Sequence, residues 1–248
     1  NVWCAAGKGT FGTRELVGRI MAVGLPEFVE HETLVLPQLG APGVAAHDVR
    51  RLTGYRVVYG PVRSADIEAF LDAGMRATPE MRDVTFTLPE RAVLVPVELV
   101  GAFRRWNLLA PLSLLAVSGL SPGFWSWEMF SSRAPAALGF YLLAIVCGTV
   151  GVPLLLPWLP GRSFALKGAL LGAVTALGVG WFTGLAPIEL AAAVLGVTAV
   201  SSYAGVQFTG SSTFTSPSGV EWELRRWLPA QMIAAVASLV LFVASAWP

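Results

Sequence analysis

Cysteine and histidine are scarce in this chain, two of each among 248 residues, and the scarcity removes whole classes of protein. No His and no second Cys lies at zinc-ligand spacing from Cys4, so a structural zinc module is not expected. Cys4 belongs to a water-soluble stretch and Cys147 to an apolar one, which argues against a disulfide between them. Charge is also thin: 13% of residues are Asp, Glu, Lys or Arg, and the net charge is +1. Such a chain offers no basic face for displacing counterions from nucleic acid. No charged segment followed by a short apolar core opens the sequence at Asn1, so no signal peptide is read, and the chain is expected to be the C-terminal part of a longer protein.

What is abundant is apolar, 54% of the residues, and it is unevenly placed. Residues 1–105 hold 12 of the 17 Lys and Arg and 12 of the 16 Asp and Glu, leaving 5 and 4 for the remainder. The break near Arg104-Arg105-Trp106 divides a water-soluble domain, residues 1–103, from a domain whose solvent is lipid, residues 104–248. A bilayer core about 30 Å thick needs roughly 20 apolar residues at about 1.5 Å each. Transmembrane helices are accordingly expected near 106–121, 137–158, 164–183, 187–208 and 228–247, the first of them short. With five spans, Arg104, Arg105, Arg162, Lys167, Arg225 and Arg226 fall on one side and Arg133 on the other. That asymmetry predicts a multi-pass protein of the cytoplasmic membrane, its soluble domain in the cytoplasm and its C-terminus outside. Lys167 and Glu189 read as interfacial and Cys147 as packing, so nothing marks a transport path. Gly168, Gly172, Gly178 and Gly180 permit close helix packing. The hydroxyl-rich loop from Phe208 to Trp227 reads either as a polar connector or as a docking surface for the soluble domain or a partner.

In the soluble part, helical periodicity runs from Thr13 to Val23, and Thr33 to Leu36 reads as a strand ended by Pro37. A helix follows at Val44 to Leu52, then a strand at Tyr55 to Tyr59 closed by Gly60-Pro61. A helix from Ser64 to Ala73 is expected to take Ser64 as N-cap and to turn Ile67, Phe70 and Leu71 inward. Val84 to Leu88 and Ala92 to Val97 read as two more strands. Such alternation predicts an α/β, Rossmann-like parallel sheet. Ligands of these sheets bind outside the carboxyl ends of the strands, here Gln38 to Gly43 and Gly60 to Arg63.

The segment from Asn1 to Thr13 is the densest in unusual choices. It is not a Walker A loop, because Val2 stands where a Gly is needed and Gly9 follows Gly7-Lys8. Gly7-x-Gly9-x-x-Gly12 does match the dinucleotide fingerprint, with Glu27, Glu30 and Glu32 near the distance of a ribose contact, and a nucleotide-binding membrane protein is one alternative. Cys4 is open to two readings from its residues alone, a buried free thiol at the end of a strand or a metal ligand or nucleophile. His31 and His47 read as ordinary polar residues, and neither lies in the Asp-x-His-x-x-Gly pattern by which many corrinoid proteins supply an imidazole to cobalt.

The run Asn1-Val2-Trp3-Cys4-Ala5-Ala6-Gly7-Lys8 resembles the signature of the corrinoid proteins of mercury methylation. The similarity continues through Leu36 to Val44, Val57 to Arg63 and Phe70 to Gly74, stretches that also resemble the corrinoid domain of the iron–sulfur corrinoid proteins of acetyl-CoA synthesis. Five membrane helices and the loop Thr209-Gly210-Ser211-Ser212-Thr213 fit the mercury family and not the soluble one. The resemblance spans nearly the whole chain and implies a corrinoid-binding domain incomplete at its N-terminus.

It further implies that Cys4 lies on a cap helix as the lower axial ligand of the corrinoid cobalt. Asn1, Val2, Trp3, Ala5, Ala6, Gly7, Lys8, Gly9 and Thr10 would form the cofactor-binding segment around it. Gly40, Ala41, Pro42 and Gly43, with Gly60, Pro61 and Val62, would meet the edge of the ring. The implied activity is a corrinoid-dependent methyltransferase that passes a methyl group from methyl-cobalt(III) to Hg(II), forming methylmercury. A thiolate is a soft, strongly donating ligand and favours a methyl group leaving with its electron pair. The implied partners are a methyl-folate-type donor system and a ferredoxin-like iron–sulfur protein that returns electrons to cobalt. A membrane-tethered corrinoid carrier with another methyl acceptor is the second alternative.

Overall fold

The computed structural model describes residues 2–7, 9–103, 107–208 and 217–247, without the side chains of Trp3, Cys4, Gly7, Pro217 and Ser218. Two compact units are present, residues 1–85 and residues 86–248. The sequence places the break at 103/104, 18 residues further on.

The first unit begins with helix α1 (Val2–Gly7) and helix α2 (Thr13–Ala22). Strand β1 (Thr33–Leu36), helix α3 (Ala46–Thr53) and strand β2 (Arg56–Tyr59) follow, and the strands pair in parallel with Leu36 opposite Tyr59. Gly54 ends α3 in the left-handed conformation at φ 82°, where a side chain would be strained. The core is Ile20, Leu36, Val44, Val49, Tyr55 and Val57. This is one β–α–β unit. A multi-stranded Rossmann-like sheet is not what the described residues form.

Helix α4 (Ile67–Asp72) and helix α5 (Pro79–Arg82) complete the unit. Ser64 opens a short 3-10 turn and Asp66 takes the N-cap position of α4, so the expected Ser64 cap is corrected. Of the three side chains expected inside, Phe70 is fully buried, whereas Ile67 and Leu71 are exposed.

Neither late strand expected from sequence forms: residues 84–87 have no regular structure and lead into helix α6 (Leu88–Ala92), and the expected strand from Ala92 to Val97 is the end of α6, a turn and the start of helix α7 (Val95–Ala102). Thr87 and Glu90 form a capping box, the Thr87 amide donating to the Glu90 carboxylate at 2.6 Å. Prolines at 89 and 96 lie in the first turns, where a missing amide costs nothing. The β-branched runs around them had suggested strands.

The second unit continues with α8 (Leu109–Ser118), a hairpin of β3 (Leu120–Ser121) and β4 (Phe124–Trp125), and α9 (Trp127–Val146). A π-helical turn over Cys147–Gly151 links α9 to α10 (Val152–Leu155). Pro153 has no amide for the carbonyl of Thr149, and the wider turn accommodates its ring. Helices α11 (Phe164–Phe182), α12 (Pro187–Phe208) and α13 (Pro217–Ala244) complete the bundle.

Among the described residues four helices are long and apolar enough to cross a membrane: residues 127–155, 164–182, 187–208 and 219–244. The protein is therefore a membrane protein by length and composition. The first of the five expected spans is corrected, because α8 has only 10 residues. Segments α6, α7 and α8 instead lie beside α9 and its continuation. Helix α6 packs on α10, α7 on the π turn and α8 on α9, while the Tyr141 hydroxyl donates to the Asn107 carbonyl at 3.3 Å. Phe86 stacks on Phe208 at the end of α12, and Ser245 is bound by Arg133 near the start of α9. The two ends of this unit thus lie at opposite ends of the bundle.

Close packing replaces a hydrophobic driving force in lipid. A Cβ on Gly168 would come 2.4 Å from the Ser201 carbonyl oxygen, and one on Gly172 would come 2.9 Å from Ser201 Cβ. Gly180 likewise abuts Leu190, whereas Gly178 faces open space. Lys167, expected to snorkel, is buried, and its ammonium donates to the carbonyls of Leu156, at 2.8 Å, and Leu159. It serves the unsatisfied carbonyls after α10.

Candidate functional site

Helix α1, which carries Cys4, packs against the 3-10 turn Gln38–Gly40 that follows β1. It therefore sits at the carboxyl end of the two parallel strands, the side on which such units take ligands. The seat depends on absent side chains. A Cβ on Gly43 would lie 2.4 Å from the Phe11 carbonyl oxygen and 2.9 Å from Ala6 Cα, and one on Gly40 would lie 2.6 Å from the Phe11 ring. Backbone bonds tie the same parts together: the Phe11 amide donates to the Ala5 carbonyl at 3.0 Å, and the Thr13 amide to that of Gly43 at 3.0 Å. The Ala45 amide donates to the Thr13 hydroxyl at 2.8 Å.

The second loop joins this edge through β2. The Gly60 amide donates to the Leu36 carbonyl at 2.8 Å, and the Tyr59 hydroxyl donates to the Val44 carbonyl. Burial raises the Tyr59 phenol above its ordinary value, with the neighbouring Ala46 backbone opposing. The Val62 amide is committed to the Met81 carbonyl at 2.8 Å.

The structure thus brings together Val2, Ala5, Ala6, Gly9 and Thr10 with Gly40, Ala41, Pro42 and Gly43, and sets Gly60, Pro61 and Val62 on the adjoining strand end. Ala6, Gly40, Gly60 and Pro61 are buried, Val2, Ala5, Ala41, Gly43 and Val62 half-buried, and Gly9, Thr10 and Pro42 exposed. Gly9 has φ 77° and no neighbour where a side chain would be. Asn1 and Lys8 lie outside the described residues, as do the side chains of Trp3, Cys4 and Gly7 and the loop 209–216. Arg104, Arg105 and Trp106 lie outside them as well.

Three residues of the site were not singled out from sequence: Phe11, Thr13 and Tyr59. Their partners lie 15 to 32 positions away, as for Tyr59 with Val44 and Thr13 with Ala45, so no local pattern announces them.

The dinucleotide fingerprint loses its context, because the glycines at 7, 9 and 12 follow a helix and not a strand. Among the described residues no three His, Cys, Asp or Glu converge as a metal site would require. A corrinoid makes a smaller demand, since the ring brings its own equatorial nitrogens and asks the protein for a single axial donor. One thiol on α1 meets that demand in the chemistry of its donor set. Cys147, in contrast, is buried in the bundle with its sulfur 3.2 Å from the Thr175 hydroxyl, a packing position.

These features define a membrane protein with a small β–α–β unit and a cysteine-bearing helix at its ligand edge. The chain matches no family model, no curated protein and no solved structure.

Proposed function

We propose that the chain is a membrane-anchored, corrinoid-dependent methyltransferase whose methyl acceptor is Hg(II). The observation that carries the reading is the seat of α1 on the Gln38–Gly43 loop, which puts the Cys4 backbone at the carboxyl ends of β1 and β2. The resemblance of the Asn1–Lys8 run to the mercury-methylation family and the apolar helices of the same chain support it. In this reading the β–α–β unit belongs to a Rossmann-like corrinoid domain.

Cys4 would supply a thiolate donor to the cobalt, and Gly43 and Gly40 hold its helix in place by leaving room for Ala6 and Phe11. Gly9 allows close backbone approach, while Ala41, Pro42 and Pro61 face the ring edge. When bound, the corrinoid supplies methyl transfer, which the protein orients and tunes through its ligand. The methyl group comes from a methyl-folate-type donor, and a ferredoxin-like iron–sulfur partner returns electrons. Arg91, Arg162, Lys167, Arg225 and Arg226 belong to the end of the bundle where the second unit begins and Arg133 to the other, an asymmetry that by the positive-inside rule supports a cytoplasmic first end and an outer C-terminus.

The test is the absorption spectrum of the full chain reconstituted with a corrinoid, wild type against Cys4→Ala. Bound corrinoid whose cobalt bands shift on loss of Cys4, together with methylmercury formation by the wild type alone, is the expected result. A wild type that binds no corrinoid overturns the reading, and one that binds it but leaves Hg(II) unmethylated moves it to a carrier for another acceptor.

A further inference from the structure

At the end of the bundle where the chain finishes, a cavity of about 440 Å³ opens between α8, α9, α12 and α13. Its size is that of a small-molecule pocket. Most of the wall is apolar, with Ala137, Phe140, Val197 and Leu239 prominent, but it contains one cation, Arg133, and one anion, Glu189.

Arg133 is held rigidly. Its Nη2 donates to the Phe242 carbonyl and, at 2.8 Å, to the Ser245 hydroxyl, and its guanidinium lies 4.2 Å from the centre of the Phe242 ring. Its Nη1 is buried and has no acceptor among the described residues. A cation set in so apolar a wall is costly unless an anionic group pairs with it. Glu189 is not that partner: its carboxylate accepts the Ala186 amide at 3.2 Å at the start of α12 and acts on Arg133 only through its field.

The depth of the site fits the membrane surface. Trp125, Trp127 and Phe130 form an aromatic cluster beside it, and Trp181, Phe182 and Trp247 are exposed at the same end. Aromatic belts of this kind mark the level of lipid headgroups. Val236 on the cavity wall is 60% exposed, so the cavity is open to the surrounding lipid.

We propose that this cavity binds a zwitterionic phospholipid with a primary ammonium headgroup. Its phosphate faces the Arg133 guanidinium, its ammonium faces Glu189, and an acyl chain lies along Phe140, Val197 and Leu239. The balance of one cation and one anion selects this headgroup, because Glu189 repels a lipid of net negative charge.

The experiment uses the full chain in nanodiscs containing equal phosphatidylethanolamine and phosphatidylglycerol. After exchange into mild detergent, retained lipid is counted by native mass spectrometry. The wild type is expected to retain phosphatidylethanolamine about tenfold over phosphatidylglycerol, the ratio that one charge-assisted contact carries. Glu189→Gln keeps a bound lipid but loses the preference, and Arg133→Gln loses the lipid. Val236→Trp, at a half-exposed wall position that leaves Arg133 and its partners in place, blocks the chain and also loses the lipid. Equal retention of both lipids by the wild type overturns the headgroup assignment, and retention by Val236→Trp at the wild-type level overturns the site.

Discussion

The hydroxyl of Tyr59, at the end of β2, donates to the backbone carbonyl of Val44, at the end of the loop on which α1 is seated. One side chain thereby ties the end of β2 to the loop that follows β1. Tyr59→Phe keeps the ring and removes the bond, so a loss of about 1 kcal/mol is expected, seen as faster amide exchange across residues 44–60. The same residue gives an alkaline limb. Burial raises its folded pKa above the ordinary 10.0, so the unfolded phenol ionises first. The contribution of Tyr59 is therefore complete below about pH 10 and is lost as pH rises through the higher folded value. Exchange measured between about pH 8 and pH 11 should show this limb in the wild type and not in Tyr59→Phe.

Gly43→Ala puts a methyl group 2.4 Å from the Phe11 carbonyl oxygen. Backbone has to move to receive it, so α1 is expected to leave its seat and corrinoid binding to fall at least about tenfold, a difference of about 1.4 kcal/mol. Gly18→Ala, inside α2 with nothing within 4 Å, is the control and should be neutral or stabilising by up to about 1 kcal/mol. Equilibrium titration of both variants with the corrinoid separates a local seat from general glycine intolerance.

Gly168→Leu is expected to separate α11 from α12, since even a Cβ there meets the Ser201 carbonyl at 2.4 Å. The melting temperature in detergent should fall by several degrees, as overpacking costs about 1–3 kcal/mol. Gly178→Leu, on the same helix facing open space, should leave it unchanged.

Much of this bundle was legible in the sequence. The expected helix at 187–208 coincides with α12, and that at 164–183 with α11 to within one residue. Both are bounded by Pro, Gly or Ser and contain few charges, so length and hydropathy suffice. The second expected helix, 137–158, begins 10 residues earlier, at Trp127, and runs through the π turn to Leu155; the first and last were misjudged for different reasons. The apolar run from 106 to 121 contains a helix of 10 residues that ends in a hairpin, and α13 begins 11 residues before the expected 228 because its first turns are polar. In the soluble part β1 was read as observed, yet Val84 to Leu88 was read as strand although Thr87 and Glu90, at its end, carry the spacing of a capping box. Of the candidate site, the segments were legible but their contacts were not. Nothing local in Phe11 tells that its ring fills the space over Gly40.

Cys4→His tests the ligand more finely than deletion. An imidazole still binds cobalt but donates less electron density than a thiolate. Corrinoid binding is expected to persist with a changed spectrum, while methylmercury formation drops by about tenfold or more. Loss of binding together with activity would instead mean that the segment holds the ring and does not tune it.

Glu223, on α13, is buried and accepts the Ser163 hydroxyl and, at 2.7 Å, the Ala165 amide at the start of α11. A carboxylate at a helix N-terminus is favoured by the dipole as well as by its bonds. Glu223→Ala should destabilise the bundle by about 2 kcal/mol and Glu223→Gln by less, read from thermal melts in detergent.

Glu223 also begins a series. Gln231 Nε2 donates to the Ser202 hydroxyl at 2.8 Å, the Ser238 hydroxyl to the Ala192 carbonyl at 2.6 Å, and Ser245 receives Arg133 at 2.8 Å. These positions recur every seven or eight residues along α13 and into the turn after it, and little of its most apolar stretch is buried within the bundle. The last helix is thus keyed to the bundle like a rack to its pinion. Sliding it by one turn would break all four of these contacts together.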